Sequence, residues 1–186
     1  MNSTTVILII LAAFVLVAFM STFKVVPQRS VFIVERLGKY SRSLDAGFHI
    51  LIPFIDKVAY KQNLKEQAID VASQICITKD NIAVEVDGIL YLQVMDPQKA
   101  SYGIDNYRFA VIQISQTTMR SVIGRMELDK TFEERETVNA TIVEAVDKAS
   151  ESWGIKVSRY EVKNISPPQS IRDAMEKQMR AEREKR

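Results

Sequence analysis

The stretch IAVEVDGILYLQV, residues 82–94, alternates apolar and polar side chains along its whole length. Its polar phase carries Glu85, Asp87 and Gln93. Its apolar phase, interrupted at Gly88, comprises Ile82, Val84, Val86, Leu90, Leu92 and Val94. A period of two is typical of a strand with one buried face, and a glycine within that face indicates a bulge or the close approach of another backbone. We therefore expect a sheet that is open to solvent on one side.

The preceding run, residues 68–78, alternates in the same way and predicts a partner strand. Its apolar phase comprises Ile69, Val71, Ile75 and Ile77, and its polar phase comprises Asp70, Gln74, Cys76 and Thr78. The connecting residues Lys79-Asp80-Asn81 are polar and suit a turn. The two runs therefore predict an antiparallel hairpin, with Ile75 and Ile77 on its buried face.

After Asp96-Pro97 the apolar period changes from that of a strand to that of a helix. A helix is expected within residues 106–126, and the motif Thr131-Phe-Glu-Glu134 resembles a capping box at the start of a second helix. The helical apolar positions are Ile112, Met119, Ile123 and Met126 in the first helix and Val138, Ile142, Ala145 and Ala149 in the second. Residues 154–165 return to strand composition, so the predicted fold class is α+β.

The end of the sequence predicts a charged helix that begins after Ser166-Pro167-Pro168. Between Ile171 and Arg186, ten of 16 residues are charged. A thin apolar stripe, which is the candidate oligomer seam, consists of Ile171, Met175 and Met179. Such a narrow stripe is typical of a coiled coil rather than of a globular core. The pattern reaches Arg186 without a cap, so we expect a longer charged helix of which this is the first part.

The first 23 residues contain no charged side chain, and Val6–Met20 is an unbroken apolar run. Residues 5–23 would form a helix of about 28 Å, close to the thickness of a bilayer's hydrocarbon core, and predict a transmembrane anchor. A cleaved signal peptide is the less favoured alternative, because the initial MNSTT lacks a basic residue and Ala18-Phe19-Met20 is a bulky cleavage site. Basic residues follow the run, namely Lys24, Arg29, Arg36, Lys39 and Arg42. The positive-inside rule then places the N-terminus outside and the body in the cytoplasm.

The segment FHILIPFI, residues 48–55, concentrates large apolar side chains around a proline soon after the anchor. One interpretation is a strand that lines the core. The other is a loop that enters the headgroup region of the bilayer, where its apolar side chains leave water. For the second interpretation the candidate membrane-contact residues are Phe48, Ile50, Leu51, Ile52, Phe54 and Ile55.

The composition excludes most catalytic and nucleic-acid-binding classes. A net charge of +2 provides no basic excess for nucleic acid, and one cysteine excludes an intrachain disulfide framework. The one histidine, His49, lies between Phe48 and Ile50, where a packed residue is more common than a general base. Cys76 has only Lys79 nearby to stabilise a thiolate. Since phosphate-binding glycine loops and hydrolase motifs are also absent from the sequence, we expect no catalytic residue, cofactor or metal.

Long collinear motifs resemble the stomatin/prohibitin superfamily, also called SPFH or band 7, and most closely its paraslipin branch. They are VPQRSVFIVERLGKY, AGFHILIPFID, TKDNIAVEVDGILYLQVMDPQKASYGI, QTTMRSVIGRMELDKTFEERE and WGIKVSRYEVKNISPP. The resemblance implies a pair of α+β subdomains on a membrane surface, followed by a coiled-coil helix through which copies assemble. It also implies an oligomeric scaffold that organises membrane microdomains and membrane protein complexes. The alternative is a regulatory partner that encloses or modulates a membrane protease.

Combined with this resemblance, the sequence predicts an order of segments. They are a polar N-terminus (1–4), a transmembrane anchor (5–23), a strand-rich SPFH subdomain (24–95), a helix-rich SPFH subdomain (96–166) and the start of a coiled-coil helix (167–186). The expected partners are further copies of the chain, the lipid bilayer, and an NfeD-type membrane protein or a membrane-bound protease. Because no mitochondrial transit peptide precedes the anchor, the expected location is a bacterial inner or plasma membrane, with a single crossing.

Overall fold

The structure, a computed structural model, describes residues 3–174 and Lys177, without the side chains at positions 3–5, 10, 18 and 21. The helices are α1 (Ser3–Thr22), α2 (Pro97–Tyr102), α3 (Tyr107–Ile123), α4 (Leu128–Glu133) and α5 (Arg135–Ser150). The strands are β1 (Phe23–Val26), β2 (Ser30–Arg36), β3 (Lys39–Leu44), β4 (Gly47–Ile50), β5 (Asp56–Asn63), β6 (Gln67–Ile77), β7 (Ala83–Val94) and β8 (Ile155–Ser166). The predicted α+β class, with antiparallel strand pairs and packed helices, is confirmed.

The described chain divides into two compact units. The first unit contains the residues up to Lys65 together with Val94–Asp105, and the second contains Glu66–Gln93 together with the residues from Asn106 onward. This division differs from the predicted boundary between residues 95 and 96. The reason is that β6 and β7 share a sheet with β8, whereas α2 packs against β2 and β5.

In the first unit, α1 runs directly into β1, which pairs antiparallel with β4. A second sheet has the order β3-β2-β5, and both of its strand pairs are antiparallel. The core between these elements is formed by Val26, Val34, Leu44 and Leu51, with Phe32 and Val58 packed against it. Burial of these side chains fixes the positions of β1, β4 and the residues that follow β4.

Helix α2 begins where the sequence predicts the change of period. The Asp96 side chain accepts hydrogen bonds from the backbone N–H groups of Gln98 and Lys99, each at 3.0 Å, and Pro97 occupies the first helical position. At the other end of α2, the Tyr102 hydroxyl donates to Glu35 on β2 at 2.8 Å. These contacts hold the short helix against the sheet of the first unit.

The second unit is built on the sheet β6-β7-β8. Helix α3 packs on β6 and on α5, and α5 packs on β8. The largest fully buried side chains of this unit are Tyr160, Leu90, Leu92, Met119, Ile123, Ile142, Val71, Val84 and Val86. The alternating run that predicted β7 therefore does bury its apolar face, and the predicted β6–β7 antiparallel hairpin is confirmed.

A bulge in β6 changes which side chains of that strand are buried. Val71 is opposite Gly88, but the next pair is Gln74 with Val86, so β6 contains one extra residue. Beyond the bulge the alternation is reversed: Cys76 is buried, while Ile75 and Ile77 are 68% and 58% exposed. The prediction for Ile75 and Ile77 was wrong, because one inserted residue moves every later side chain to the opposite face.

Gly88 permits a close approach between β7 and β8. A Cβ atom at this position would overlap the side chain of Tyr160 and would lie 2.9 Å from the carbonyl oxygen of Glu161. The close approach predicted at Gly88 is confirmed, and the bulge lies on the neighbouring strand. The glycine therefore allows the buried Tyr160 ring to pack directly against the sheet backbone.

The helix starts agree only in part with the predictions. Asn106 caps α3, since its side chain accepts a hydrogen bond from the N–H of Phe109 at 3.1 Å. Thr131, however, lies inside α4, and its hydroxyl donates to the Glu127 carbonyl oxygen at 3.0 Å. The predicted capping box was wrong, because Thr131 bonds to the preceding turn and α5 begins only at Arg135.

The sequence predicts a coiled-coil helix at the C-terminal end of the chain and a membrane anchor at the N-terminal end. Residues 169–174 are helical and Ile171 is half-buried, whereas Met175 and Met179 lie outside the described residues. At the other end, α1 forms over the predicted anchor as a helix of 20 residues. Over its described residues, no helix in the structure is both long and apolar enough to qualify as a membrane span. The predicted single crossing by residues 5–23 is therefore not confirmed.

Candidate functional site

The first unit exposes a set of large apolar side chains, which we call the apolar surface. It consists of Val25, Leu37, Phe48, Ile50, Ile52, Phe54 and Ile55. In helix α1, every side chain that the structure describes between Val6 and Met20 is apolar and exposed. Scattered apolar residues are common on protein surfaces, but a large contiguous set indicates an interaction site.

Three aromatic contacts connect α1 with the apolar surface. The Phe19 and Phe23 rings meet edge to face with centroids 5.0 Å apart, and the Phe23 and Phe48 rings are stacked at 5.5 Å. Further along α1, the Phe14 ring stacks on the Phe54 ring at 5.7 Å with an interplanar angle of 10°. The loop after β4 therefore lies beside the middle of α1.

The β1–β4 ribbon has one apolar face and one face directed to the core. Val25 is opposite Phe48, and Phe23 is opposite Ile50, so these four side chains share a face. On the other face Val26 is buried. The ribbon thus extends the apolar surface of α1 into the folded body.

Five of the six predicted membrane-contact residues lie on the apolar surface, namely Phe48, Ile50, Ile52, Phe54 and Ile55. Leu51 does not: it is only 3% exposed and packs in the core. Its N–H donates to the carbonyl oxygen of Thr22, the last residue of α1, at 2.7 Å. The core-lining interpretation thus applies to Leu51, whereas its neighbours are exposed and their contact with a membrane stays a prediction.

Leu37 is part of the apolar surface, and the sequence reasoning missed it. It lies with Gly38 in the two-residue turn between β2 and β3, is 82% exposed and has a φ of 49°. Phe54, 79% exposed, also has a positive φ, 67°. The Leu37 N–H donates to the Ile55 carbonyl oxygen at 3.4 Å, so the two tips are neighbours.

A left-handed conformation is costly for a bulky apolar residue, so the two exposed tips are candidate functional positions. A sequence signal for Leu37 does exist. Hairpin turns of this kind favour Asn, Asp or Gly at both central positions, whereas this one places leucine before the glycine.

A buried carboxylate holds the loop that carries Phe54. Arg36 donates two hydrogen bonds to Asp56, from Nε to Oδ1 at 2.8 Å and from Nη2 to Oδ2 at 3.2 Å, and the Ile52 N–H donates to Oδ2 at 3.1 Å. Arg42 lies 3.9 Å from Oδ2 and donates to the Ile50 carbonyl oxygen at 2.6 Å. The hydrogen bonds from Arg36 lower the pKa of Asp56 from its ordinary value, although its burial acts in the opposite direction.

Neither His49 nor Cys76 has the surroundings of a catalytic residue. The His49 Nε2–H donates to the Asp45 carbonyl oxygen at 2.7 Å. Cys76 is buried, which raises the pKa of its thiol and disfavours the reactive thiolate. Within the described part of the chain, no group of three His, Cys, Asp or Glu side chains could hold a metal ion.

Comparison with known proteins identifies a family. The family model described as "SPFH domain / Band 7 family" matches residues 24–186, which contain the body from the second residue of β1 onward. This match begins two residues after the end of α1.

Several curated proteins are similar to this chain. Stomatin-like protein 2, mitochondrial, from Homo sapiens is 48% identical over 161 residues, covering 87% of this chain and 45% of that protein. Stomatin-like protein stl-1 from Caenorhabditis elegans is 50% identical over 161 residues, covering 87% of this chain and 50% of that protein. An uncharacterised protein from Mycobacterium bovis is 40% identical over 181 residues, covering 97% of this chain and 48% of that protein. The chain thus spans about half the length of these relatives, and the predicted resemblance is confirmed.

Proposed function

This chain belongs to the SPFH domain / Band 7 family, and from that premise we propose that it is a stomatin-like membrane scaffold. It is attached to a bilayer through α1 and the apolar surface, and it organises membrane proteins by assembling with copies of itself rather than by catalysing a reaction. The observation that carries the proposal is the continuous apolar region formed by α1, the β1–β4 ribbon and the tips at Leu37 and Phe54.

A lipid bilayer is the occupant that fits this region. A helix that is apolar on all sides is stable only where all sides leave water, in a large core or in lipid. The side chains of α1 that the structure describes from Val6 to Met20 are exposed rather than packed in a core. Each square ångström of apolar surface removed from water contributes about 25 cal/mol, so the exposed side chains favour transfer into hydrocarbon.

The stacking of Phe14 on Phe54 supports the proposal that the middle of α1 and the loop after β4 reach the same depth in the bilayer. Phe14 lies eight residues before the end of α1, which corresponds to about 12 Å along the helix axis. If α1 enters the bilayer from its Lys24 end, Phe54 reaches the acyl-chain region with it, and Leu37, whose N–H bonds to Ile55, belongs to the same contact with the bilayer.

The orientation that we propose follows the positive charges. Lys24 comes two residues after α1, and the basic residues that follow favour the cytoplasmic side. The N-terminus would then be outside and the body on the cytoplasmic face of a bacterial inner or plasma membrane. A single crossing stays a prediction, and labelling with a membrane-impermeant maleimide tests it on Asn2→Cys and Lys39→Cys variants. Opposite accessibility supports a crossing, whereas equal accessibility means that α1 lies within one leaflet.

Self-assembly is proposed from the helix that follows Pro168. Its charges alternate in sign, as in Arg172, Asp173 and Lys177, and a narrow apolar stripe begins at Ile171. In coiled coils such a stripe forms the contact between helices, and flanking charges set the partner and the alignment. Light scattering after size exclusion tests this step, and a monomer at micromolar concentration would contradict assembly by this chain.

Partners beyond further copies are also a proposal, namely an NfeD-type membrane protein or a membrane-bound protease. Pull-down of the full chain from detergent-solubilised membranes separates the two roles. A protease recovered in stoichiometric amount favours the alternative function, the regulation of a membrane protease. Recovery of the chain with lipid and copies of itself favours the scaffold.

Membrane attachment is tested by flotation of the full chain with phospholipid vesicles. Leu11→Arg/Val15→Arg places two charges in the middle of α1, and we expect it to abolish flotation because charged side chains are costly in hydrocarbon. The matched control is Ile75→Arg/Ile77→Arg, which charges two exposed apolar residues of the second unit. Equal loss of flotation in both variants, or flotation of the α1 variant, would contradict attachment through α1.

A further inference from the structure

A cleft of about 430 Å³ lies in the first unit, between the start of β1 and the loop that carries Phe54. Its charged lining residues are Lys24, Asp56 and Lys57, and its apolar lining residues are Leu51, Pro53, Phe54 and Val58. The cleft is adjacent to the apolar surface, since Phe54 belongs to both. Its lining therefore combines cationic groups with an apolar wall.

The two lysines provide uncompensated positive charge. In the part of the chain that the structure describes, neither the Lys24 nor the Lys57 ammonium lies within 4.0 Å of a carboxylate. Glu35 is opposite Lys57 in the β2–β5 pair, but its carboxylate accepts the hydrogen bond from Tyr102. Both lysines are exposed to solvent and available to an anion.

Asp56 does not cancel this charge. Its side chain is fully shielded from solvent and accepts both hydrogen bonds from Arg36, and Arg42 lies 3.9 Å away. One carboxylate therefore faces two guanidinium groups, and the local balance is positive even before Lys24 and Lys57 are counted. An anion that entered the cleft would meet the two ammonium groups and no free carboxylate among the residues that line it.

We propose that this cleft binds the phosphate of an anionic phospholipid headgroup, with Lys24 and Lys57 as the phosphate ligands. The inference rests on the proposed attachment to a bilayer, because Lys24 comes two residues after the end of α1 and would then lie at headgroup level. Lysine binds phosphate as a compact point charge, and two lysines favour a headgroup with net negative charge over a zwitterionic one. The Phe54, Pro53 and Val58 side chains supply the wall along which the acyl chains leave the headgroup.

The source of the phosphate distinguishes a lipid site from a general anion site. A soluble phosphomonoester such as glycerol 1-phosphate contacts the two lysines but leaves the apolar wall in water. A lipid contacts both. We therefore expect phosphatidylglycerol to bind more tightly than glycerol 1-phosphate, by at least tenfold.

The experiment uses the full chain in neutral detergent micelles that contain equal amounts of phosphatidylglycerol and phosphatidylcholine, with retained lipid counted by native mass spectrometry. We expect Lys24→Gln/Lys57→Gln to weaken phosphatidylglycerol retention about 25-fold, at about fivefold for each lysine. Lys61→Gln/Lys65→Gln removes the same charge from exposed positions of the same unit and should change retention less than threefold. Lys24→Arg/Lys57→Arg should retain the lipid.

Three results would overturn the inference: undiminished retention in Lys24→Gln/Lys57→Gln, an equal loss in the control variant, or glycerol 1-phosphate binding as tightly as the lipid. Circular dichroism and thermal unfolding verify that the variants are folded. Flotation keeps the two proposals apart. A Lys24→Gln/Lys57→Gln protein that floats like the parent and loses lipid selectivity supports the cleft, whereas a parent chain that does not float contradicts the attachment itself.

Discussion

The Asp56 carboxylate and the Arg36 guanidinium form a two-point contact, with Nε–Oδ1 and Nη2–Oδ2 distances of 2.8 and 3.2 Å. Asp56 is the first residue of β5 and Arg36 is the last of β2, so the contact joins two strand ends. Through Oδ2 the same carboxylate accepts the N–H of Ile52. One side chain thus fixes both the strand pair and the loop that presents Phe54.

Replacing Asp56 should destabilise the first unit. Asp56→Asn keeps one acceptor oxygen but replaces the other with an N–H₂ group, which cannot accept the hydrogen bonds that Arg36 or Ile52 donates. We therefore expect a loss of about 1–3 kcal/mol in the free energy of unfolding. Chemical denaturation monitored by circular dichroism measures the loss. The control is Asp45→Asn, because Asp45 is exposed and its side chain takes no part in this contact. Equal stability of the Asp56→Asn protein and the parent would contradict the role of the carboxylate.

The same contact predicts a dependence of stability on pH. Because the pKa of Asp56 is lowered in the folded state, its contribution is complete above the unfolded-state pKa of about 4. The contribution is lost as the pH falls through the folded-state pKa. Denaturation at several pH values should show a constant difference between parent and Asp56→Asn from pH 7 to 5 and a shrinking one below about pH 4. A difference that persists unchanged to pH 2 would exclude ionised Asp56 as its cause.

The tip at Leu37 should report an apolar environment when vesicles are present. A Leu37→Cys/Cys76→Ser variant labelled with an environment-sensitive fluorophore should shift its emission to the blue on addition of vesicles, because the label leaves water. The comparison label is at Ser41→Cys on β3, which is exposed but lies outside the apolar surface. An unshifted label at position 37, with normal flotation of the chain, would remove Leu37 from the membrane contact.

Because of the bulge in β6, Ile75 should tolerate substitution by a polar residue. Since Ile75 lies on the solvent side after the bulge, Ile75→Thr should change the free energy of unfolding by less than about 0.5 kcal/mol. Leu90→Ala on β7, which removes a fully buried side chain, should cost about 2–5 kcal/mol. Urea denaturation of both variants tests the alternation. A cost above 2 kcal/mol for Ile75→Thr would mean that the side chain is buried.

Gly88 should not accept a methyl group. In Gly88→Ala the new Cβ would overlap the Tyr160 side chain and the backbone of β8, so we expect a loss of about 1–3 kcal/mol from overpacking. Gly124→Ala is the comparison, because its nearest contact is 3.1 Å and its φ of −63° suits any residue. Thermal unfolding ranks the two, and an unchanged midpoint in Gly88→Ala would contradict the close approach.

Local periodicity explains why much of the fold could be predicted. The run at 82–94 forms β7, Asn106 caps α3, and Asp96-Pro97 begins α2. In each case the side chains within a few residues supply the cause, either an apolar face or a cap. The two failures have different causes, one a local hydrogen bond that replaces the predicted cap and the other an insertion in a strand pair. Thr131 bonds to the turn before it, and the extra residue in β6 reverses the faces of Ile75 and Ile77.

The candidate site likewise has features that the sequence predicts and features that depend on the fold. The amino-acid pattern alone predicts that residues 48–55 are largely apolar and follow an uncharged helix, because composition and distance along the chain are local properties. The folded chain was needed to show that Leu51 packs in the core, that Leu37 lies beside Ile55, and that the Asp56 side chain is buried against Arg36. It also shows that Lys24 and Lys57 line one cleft. The three pairs Leu37 and Ile55, Arg36 and Asp56, and Lys24 and Lys57 are 18 to 33 positions apart in the sequence. Their distances in space depend on how β1, β2, β4 and β5 pack together rather than on any short stretch of sequence.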